Sequence, residues 1–149
     1  MKILVCTDGS EHSQKALEKV SSIASELNVE EVAIIHVYDN KSDLSSLTSE
    51  YITAEILEGI KKAMEVHEKE REEILEEAQK FFNEKNIKAR KIFKEGHPSH
   101  TIINVANEEG FDLIVVGSRG FGGLKKIFLG SVSNAVVQEA RNCSVLIVK

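Results

Sequence analysis

The chain has 149 residues, of which 42% are hydrophobic and 29% charged, and its formal net charge is −5. This length supports one globular domain, which we place at residues 1–149 and which removes roughly 68–70% of its unfolded surface from water. The negative charge excludes a general nucleic-acid binder, because no excess of Lys and Arg is available to neutralise phosphates.

Three features of the sequence bear on where the protein works. No apolar run is long enough to cross a membrane, and the first residues already have a strand pattern, so we expect no membrane contact and no signal peptide. Cys6 and Cys143 both adjoin apolar strand patterns, which predicts small buried residues with free thiols. We therefore expect a cytoplasmic location.

The first part of the chain has the pattern of a β-α-β unit. Residues 3–6 are a short apolar run, typical of a strand covered on both faces. Ser10 is a good N-cap for the helix that follows, in which apolar residues recur at helical spacing from Ala16 to Leu27. Residues 32–38 form a second strand pattern, so the two strands are predicted to be parallel neighbours.

The middle of the chain combines a polar break with a long helical pattern. Residues 39–50 are serine-rich and predict a mobile loop. Two apolar helical faces follow, at 56–64 and 74–82, separated by the almost entirely charged residues 65–73. Either one helix of about 30 residues projects beyond the body, or the helix is broken at the charged section. The charged residues are a solvated face with i,i+4 pairs or, alternatively, a surface that binds a partner.

The last part of the chain continues the alternation of strands and helices. Pro98 stands near a helix start, Gly110 is a C′ residue, and Ser131 is predicted to cap the last helix. The strand at 87–94 is charged, as suits a sheet edge, whereas the strand at 113–116 is the most apolar. The final strand is at 144–148.

These elements predict an α/β fold: a Rossmann-like three-layer α/β/α sandwich with a five-stranded parallel sheet. Strand polarity favours the order 3-2-1-4-5, with a switch point between strands one and four, beyond whose carboxyl ends ligands bind in such sheets. Asp8 and Gly117 are then expected to face each other across the crevice. The apolar edge strand at 144–148 predicts a homodimer, because a second copy of the chain would cover it.

A glycine-rich loop between the fourth strand and the last helix carries the chemical signal. Residues 112–133 contain Gly117 and four more of the nine glycines, and such a loop brings backbone N–H groups close to an anion. It fits neither the Walker A motif, since the loop has no Gly-Lys pair, nor the dinucleotide fingerprint, whose third glycine is replaced by Lys125. The spacing present is Gly117-x-x-Gly120, nine residues, then Gly130-Ser131. We predict that the loop holds the phosphates of a nucleotide.

With this spacing the chain resembles the universal stress protein family, and specifically its ATP-binding branch, whose signature is Gly-x-x-Gly, nine residues, Gly-Ser/Thr. Residues 3–11, 35–37, 96–98 and 144–148 are also similar to the family, in the same order. Cys6 is a departure, because some ATP-binding members have proline there; it could alter adenine packing without removing the site.

The resemblance implies that ATP is the ligand and assigns parts of the site. Backbone around Asp8 and Val37 would meet the adenine, Gly117 and its neighbours would lie near the ribose, and the residues after them would contact the phosphates. The predicted site consists of Thr7, Asp8, Val37, Gly117, Arg119, Gly120, Gly130, Ser131, Val132 and Ser133.

Charged residues near this site leave alternatives open. Arg119, Lys125 and Lys126 either neutralise phosphate charge or are solvated. Asp8 is interpreted as a binding residue rather than a general base, since no His or Lys is spaced to complete a catalytic set. His97 and His100 would need a third ligand to hold a metal, so any Mg²⁺ or Mn²⁺ is expected to be carried on the ATP phosphates.

Three functions remain as hypotheses. The first is an ATP-binding regulatory protein of the universal stress type with an unknown protein partner and at most slow or partner-stimulated hydrolysis, because no acidic Mg²⁺ clamp or arginine finger is recognisable. The second is a genuine ATPase or nucleotidyl-transfer enzyme of a related α/β class. The third is a nucleotide-free dimer or scaffold.

Overall fold

The computed structural model describes residues 1–39, 53–120 and 129–149. Within these ranges strands and helices alternate along the chain. The elements are β1 (Lys2–Cys6), α1 (Glu11–Glu26), β2 (Glu31–Tyr38), α2 (Ala54–Glu84), β3 (Ala89–Glu95), α3 (Pro98–Glu108), β4 (Leu113–Gly117), α4 (Ser131–Glu139) and β5 (Ser144–Val148).

The sheet has five parallel strands in the order β3-β2-β1-β4-β5, so the predicted order 3-2-1-4-5 is confirmed. β1 and β4 lie in its middle and β3 at one edge, as their polarity predicted. The sheet is covered on both faces. One core contains Leu4, Ile35 and Val116 with side chains of α3 and α4, and the other contains Ile3 and Val5 with side chains of α1 and α2.

The helix ends confirm most of the local predictions and correct one. The Ser10 side chain accepts a hydrogen bond from Ser13 N at 3.3 Å, Pro98 is the first residue of α3, and Gly110 has φ +68° just after that helix. The prediction that Ser131 caps α4 was wrong: Gly130 is the N-cap residue and Ser131 is the first helical residue. The side chain of Ser133 instead binds the Gly130 carbonyl, at 3.0 Å.

α2 is one unbroken helix of 31 residues, which decides between the two alternatives left open by the sequence. Thr53 caps its start, with the side chain accepting a hydrogen bond from Ile56 N at 3.3 Å. The second half of α2 packs against the sheet through the buried side chains of Leu75, Ala78 and Phe82, whereas residues 54–70 contain no buried side chain.

Apart from Asp39, the predicted loop at 39–50 lies outside the described residues. In the described part of the chain, none of the helices has the length and apolarity that a membrane span needs.

β5 pairs only with β4 among the described residues and leaves its other edge open. Ser144 N donates to Asp112 O, and Val148 O accepts from Ser118 N, so even-numbered residues of β5 direct their backbone groups toward β4. The backbone groups of Val145 and Ile147 therefore point away from the sheet, because the direction alternates along a strand.

Substitution of two leucines in α2 compares how much each half of the helix contributes to the free energy of unfolding. Leu75 is 4% exposed and Leu57 is 54% exposed. We expect Leu75→Ala to lower the free energy of unfolding by about 2–5 kcal/mol, because it leaves a cavity in the core. Leu57→Ala should change it by less than about 0.5 kcal/mol. Urea unfolding followed by circular dichroism measures both, and equal losses would show that the two halves of α2 are equally packed.

Candidate functional site

A cavity of about 470 Å³ opens at the carboxyl ends of the strands, between the ends of β1 and β4. All ten residues predicted from the sequence line it, although they come from separate segments of the chain. The lining residues are Cys6, Thr7, Asp8, Ser13, Ile35, Val37, Pro98, Ile102, Val116, Gly117, Arg119, Gly120, Leu129, Gly130, Ser131, Val132 and Ser133.

The turn between β1 and α1 forms one wall and is held by its own polar groups. Asp8 Oδ1 accepts a hydrogen bond from Ser10 N at 3.0 Å, and Thr7 Oγ1 accepts one from Gly9 N at 3.3 Å. Thr7 Oγ1 is also 3.3 Å from Ser13 Oγ. Gly9 has φ +82°, a left-handed conformation that glycine adopts without strain. Among the described residues, the second carboxylate oxygen of Asp8 has no hydrogen-bond partner in this turn.

The opposite wall is the junction between β4 and α4, and one carbonyl organises it. Ser118 O accepts a hydrogen bond from Gly130 N at 2.8 Å and another from Ser133 Oγ at 3.1 Å. Ser118 N in turn donates to Val148 O at 2.7 Å, which ties the junction to β5. The start of α4 is thereby fixed beside the end of β4. The first N–H groups of a helix have no partner within it, and the helix dipole makes this end favourable for an anion.

Two glycines allow these walls to approach each other. A Cβ on Gly117 would lie 2.6 Å from the backbone carbon of His12, and a Cβ on Gly120 would overlap Asp8 Oδ2. Ser10 Oγ donates to Arg119 O at 3.5 Å, a further link across the crevice. Asp8 and Gly117 therefore line the same cavity.

The end of the cavity nearest the sheet is apolar. Ile35 and Val116 belong to the core on that face, and Pro98 and Ile102 of α3 close it from the side. Cys6 is buried there, and this burial, followed by the charge of Asp8, raises the pKa of its thiol, so the thiol stays protonated and packs as a small apolar group. Both cysteines are free thiols; Cys6 is buried as predicted, and Cys143 is only partly buried.

Of the three cationic residues considered near the site, Arg119 lies at the cavity. Arg119 lines it, and its Nε is buried without a hydrogen-bond partner in the part of the chain that the structure describes. Ser118 Oγ is likewise buried without a hydrogen-bond partner among the described residues. Lys125 and Lys126 lie outside the described residues, so their predicted alternatives are not tested.

The lining offers little for acid–base or metal chemistry. Asp8 is the one carboxylate among the described lining residues, and no histidine accompanies it. His97 and His100 have ring centroids 4.7 Å apart, and His100 Nε2 is 3.6 Å from Glu139 Oε2. The described residues nevertheless contain no group of three or more His, Cys, Asp or Glu side chains that could hold a metal ion. The arrangement suits binding of an anionic ligand with an apolar part.

Sequence reasoning missed most of the apolar lining and one polar residue. Helical spacing identified Ile102 as a buried residue of α3 but could not tell that it faces the cavity. Ser13 gave no signal, since a serine in the first turn of a helix is common. The six lining residues that were not predicted, besides Cys6, are Ser13, Ile35, Pro98, Ile102, Val116 and Leu129.

A five-stranded parallel sheet of this order, with a cavity at the switch point between β1 and β4, defines a Rossmann-like α/β protein. The family model described as "Universal stress protein family" matches residues 1–149. The chain belongs to the universal stress protein family.

Similar proteins match nearly the full length of the chain. Universal stress protein YxiE of Bacillus subtilis is 42% identical over 150 residues, which span 99% of this chain and 98% of that protein. Universal stress protein MJ0577 of Methanocaldococcus jannaschii is 35% identical over 160 residues, spanning 99% and 94%. Its solved structure matches with a TM-score of 0.82 and covers 99% of this chain and 94% of that chain.

A third similarity concerns the fold alone. A universal stress protein solved in complex with cAMP matches with a TM-score of 0.66 at 24% identity, covering 100% of this chain and 97% of that chain.

The close approach at Gly117 gives a stability test with a matched control. Gly117→Ala places a Cβ 2.6 Å from the His12 backbone, and we expect a loss of about 1–3 kcal/mol in the free energy of unfolding because α1 must shift. Gly59→Ala meets no atom within 4 Å and lies inside α2, so it should not lower stability. Urea unfolding of both variants checks this; an unaltered Gly117→Ala protein would contradict the tight junction.

Proposed function

We propose that this protein binds ATP in the cavity between β1 and β4 and acts as a nucleotide-dependent regulatory protein of the stress response. The observation that carries the proposal is the convergence of three distant segments, 7–8, 117–120 and 130–133, on one cavity with an apolar end and a helix N-terminus. Its volume of about 470 Å³ is within the range of small-molecule sites, which is roughly 300–1,000 Å³.

The apolar end suits the adenine. Cys6, Ile35, Val37 and Val116 offer flat apolar surface at the ends of three neighbouring strands, and Pro98 and Ile102 close the slot. A purine ring buried there gains from removal of apolar area from water. The backbone groups of Val37 supply a donor and an acceptor at the edge of this slot.

The polar end suits the ribose and the phosphates. Gly117 and Gly120 leave room for close approach to the backbone, and the first N–H groups of α4, at Ser131 and Val132, can donate to phosphate oxygens. Each favourable charge at a helix N-terminus contributes about 0.3–1 kcal/mol, so several such contacts act together. Arg119, with its buried unpaired Nε among the described residues, adds positive charge beside them.

Hydrolysis is proposed to be slow at most. Fast phosphoryl transfer uses a positioned base or water-orienting group together with acidic metal ligands. Asp8 alone among the described lining residues carries a carboxylate, and its Oδ1 is already bound to Ser10 N. Mg²⁺ or Mn²⁺ would therefore be held mainly by the phosphates themselves.

The similar fold of the protein solved with cAMP supports the choice of an adenine nucleotide, because the same architecture holds one there.

We also propose a cytoplasmic location, since both cysteines are free thiols. We further propose a homodimer through residues 144–148, whose outer edge is open, and a protein partner that contacts the exposed, charged half of α2.

Ser131 provides the sharpest test of the phosphate end. Ser131→Asp should keep or raise the free energy of unfolding, because a carboxylate is favourable at a helix N-terminus. It should lower ATP affinity by at least about tenfold through repulsion of the phosphates, while Ser131→Asn, of the same shape and uncharged, stays within about threefold of the parent. Isothermal titration calorimetry with ATP and with adenosine, which lacks the phosphates, measures this; adenosine affinity should not distinguish Asp from Asn.

Thermal unfolding and mass spectrometry of the parent protein can reject the proposal. ATP at about 100 times its Kd should stabilise the parent protein by roughly 2.7 kcal/mol, and this appears as a rise in Tm. If neither bound nucleotide in the purified protein, by mass spectrometry, nor an ATP-dependent rise in Tm is found, the protein is not an ATP-binding member. Turnover well above the buffer background that is lost in Asp8→Ala would favour an enzyme instead.

The proposed dimer depends on outward N–H groups of β5. Val145→Pro removes one of these donors while the hydrogen bonds between β4 and β5 use the even-numbered residues, so we expect a monomer. Val145→Ala keeps the N–H and should remain a dimer. Light scattering of both variants with the parent protein decides; a parent that is monomeric, or a Val145→Pro protein that is still dimeric, contradicts pairing at this edge.

A further inference from the structure

The ladder between β1 and β2 stops at the mouth of the cavity. Its last paired residues are Cys6 and Ile35, and Thr7 N donates to Ile35 O at 2.9 Å. The next hydrogen bond of a regular parallel ladder would run from Val37 N to Thr7 O. Among the described residues that bond is not formed. The Thr7 carbonyl is instead 2.8 Å from Nδ1 of His36.

The geometry fixes which atom carries the proton. A carbonyl oxygen only accepts, so Nδ1 of His36 must be the protonated donor. His36 is 6% exposed, and this burial lowers its pKa despite the opposing effects of Thr7 and Asp8. The neutral ring therefore has Nδ1–H and a lone pair on Nε2.

The ring of His36 is held on the side of the sheet away from the cavity. It stacks on Phe93, with centroids 5.9 Å apart and planes at 12°, and Phe93 stacks on Tyr38 at 4.7 Å. The guanidinium of Arg71 on α2 lies 4.7 Å from the Tyr38 centroid. Side chains alternate between the faces of a strand, so His36 shares a face with Ile34, while its neighbours Ile35 and Val37 line the cavity.

We infer that His36 is a positioning residue for the nucleotide site. Its Nδ1–H takes the place of Val37 N–H as the partner of the Thr7 carbonyl, which holds the peptide between Thr7 and Asp8 in orientation. The N–H of Val37 is thereby left for an acceptor on the ligand's base. This role rests on the proposed function, because it supposes that the base of a nucleotide meets Val37.

Two variants with side chains of similar size separate the hydrogen bond from packing. In His36→Asn the side-chain amide nitrogen is the same number of bonds from the backbone as Nδ1 and can donate to Thr7 O, whereas His36→Leu has no donor. We expect ATP affinity to fall about tenfold in His36→Leu, about 1.4 kcal/mol, and to stay within about threefold of the parent in His36→Asn. Inorganic tripolyphosphate, which has no base, should bind the parent and both variants alike.

The outcomes distinguish this inference from the proposed function. If the parent protein does not bind ATP, the proposed function fails. If the parent binds ATP and His36→Leu binds it equally well, or if tripolyphosphate affinity falls in parallel with that of ATP, His36 does not position the base end. The ¹⁵N chemical shifts of the parent imidazole give a test that needs no variant: the Nδ1–H tautomer is expected, and the Nε2–H tautomer would overturn the inference even if His36→Leu does not fold.

Discussion

The separation of β1 and β4 beyond their last paired residues is the constraint on which the site depends. They pair from Ile3 with Leu113 to Val5 with Val115, and then their chains turn to opposite faces of the sheet, into α1 and toward α4. Opposite crossovers at neighbouring strands leave a crevice that no side chain of the sheet fills. The cavity is therefore a product of topology, and the residues around it determine what it can hold.

Backbone groups carry much of the recognition that this crevice offers. The Ser118 carbonyl joins Gly130 N and Ser133 Oγ, the Thr7 carbonyl is held by His36, and the glycines remove side chains where the walls meet. Among the described lining residues, Asp8 and Arg119 are the charged ones. The glycine spacing on which we base the proposal of ATP binding lies at this crevice, because Gly117, Gly120 and Gly130 all line the cavity.

The ends of helices were predictable from the sequence where one residue determines them through contacts with its near neighbours in the chain. The hydroxyl of Ser10, the ring of Pro98 and the absent Cβ of Gly110 each act within one turn of chain, and their positions were correct. The charged strand β3 and the apolar strand β4 gave the sheet order, since burial sorts strands by polarity. Ser131 was misplaced as a cap because the bond from Gly130 N to Ser118 O, which sets the start of α4, joins residues that sequence spacing does not relate.

The site was predictable where glycine spacing marks it and hidden where it depends on packing. Gly117 and Gly120 mark a close approach of the two walls, whereas Ile102 and Pro98 look like any other residues at the start of an amphipathic helix. The hydrogen bond from His36 to Thr7 could not be predicted either, because it depends on where the pairing between β1 and β2 ends, and sequence spacing does not show this.

The unequal burial of α2 has a consequence for how the protein can change in evolution. Residues 54–70 rest on helix propensity, the Thr53 cap and neighbouring charges such as Lys62 and Glu58, with no contribution from the core. We expect substitutions there to change the free energy of unfolding little, so that selection for stability constrains them only weakly. This half of α2 can therefore acquire new surface contacts while the end of the sheet that lines the cavity stays unchanged.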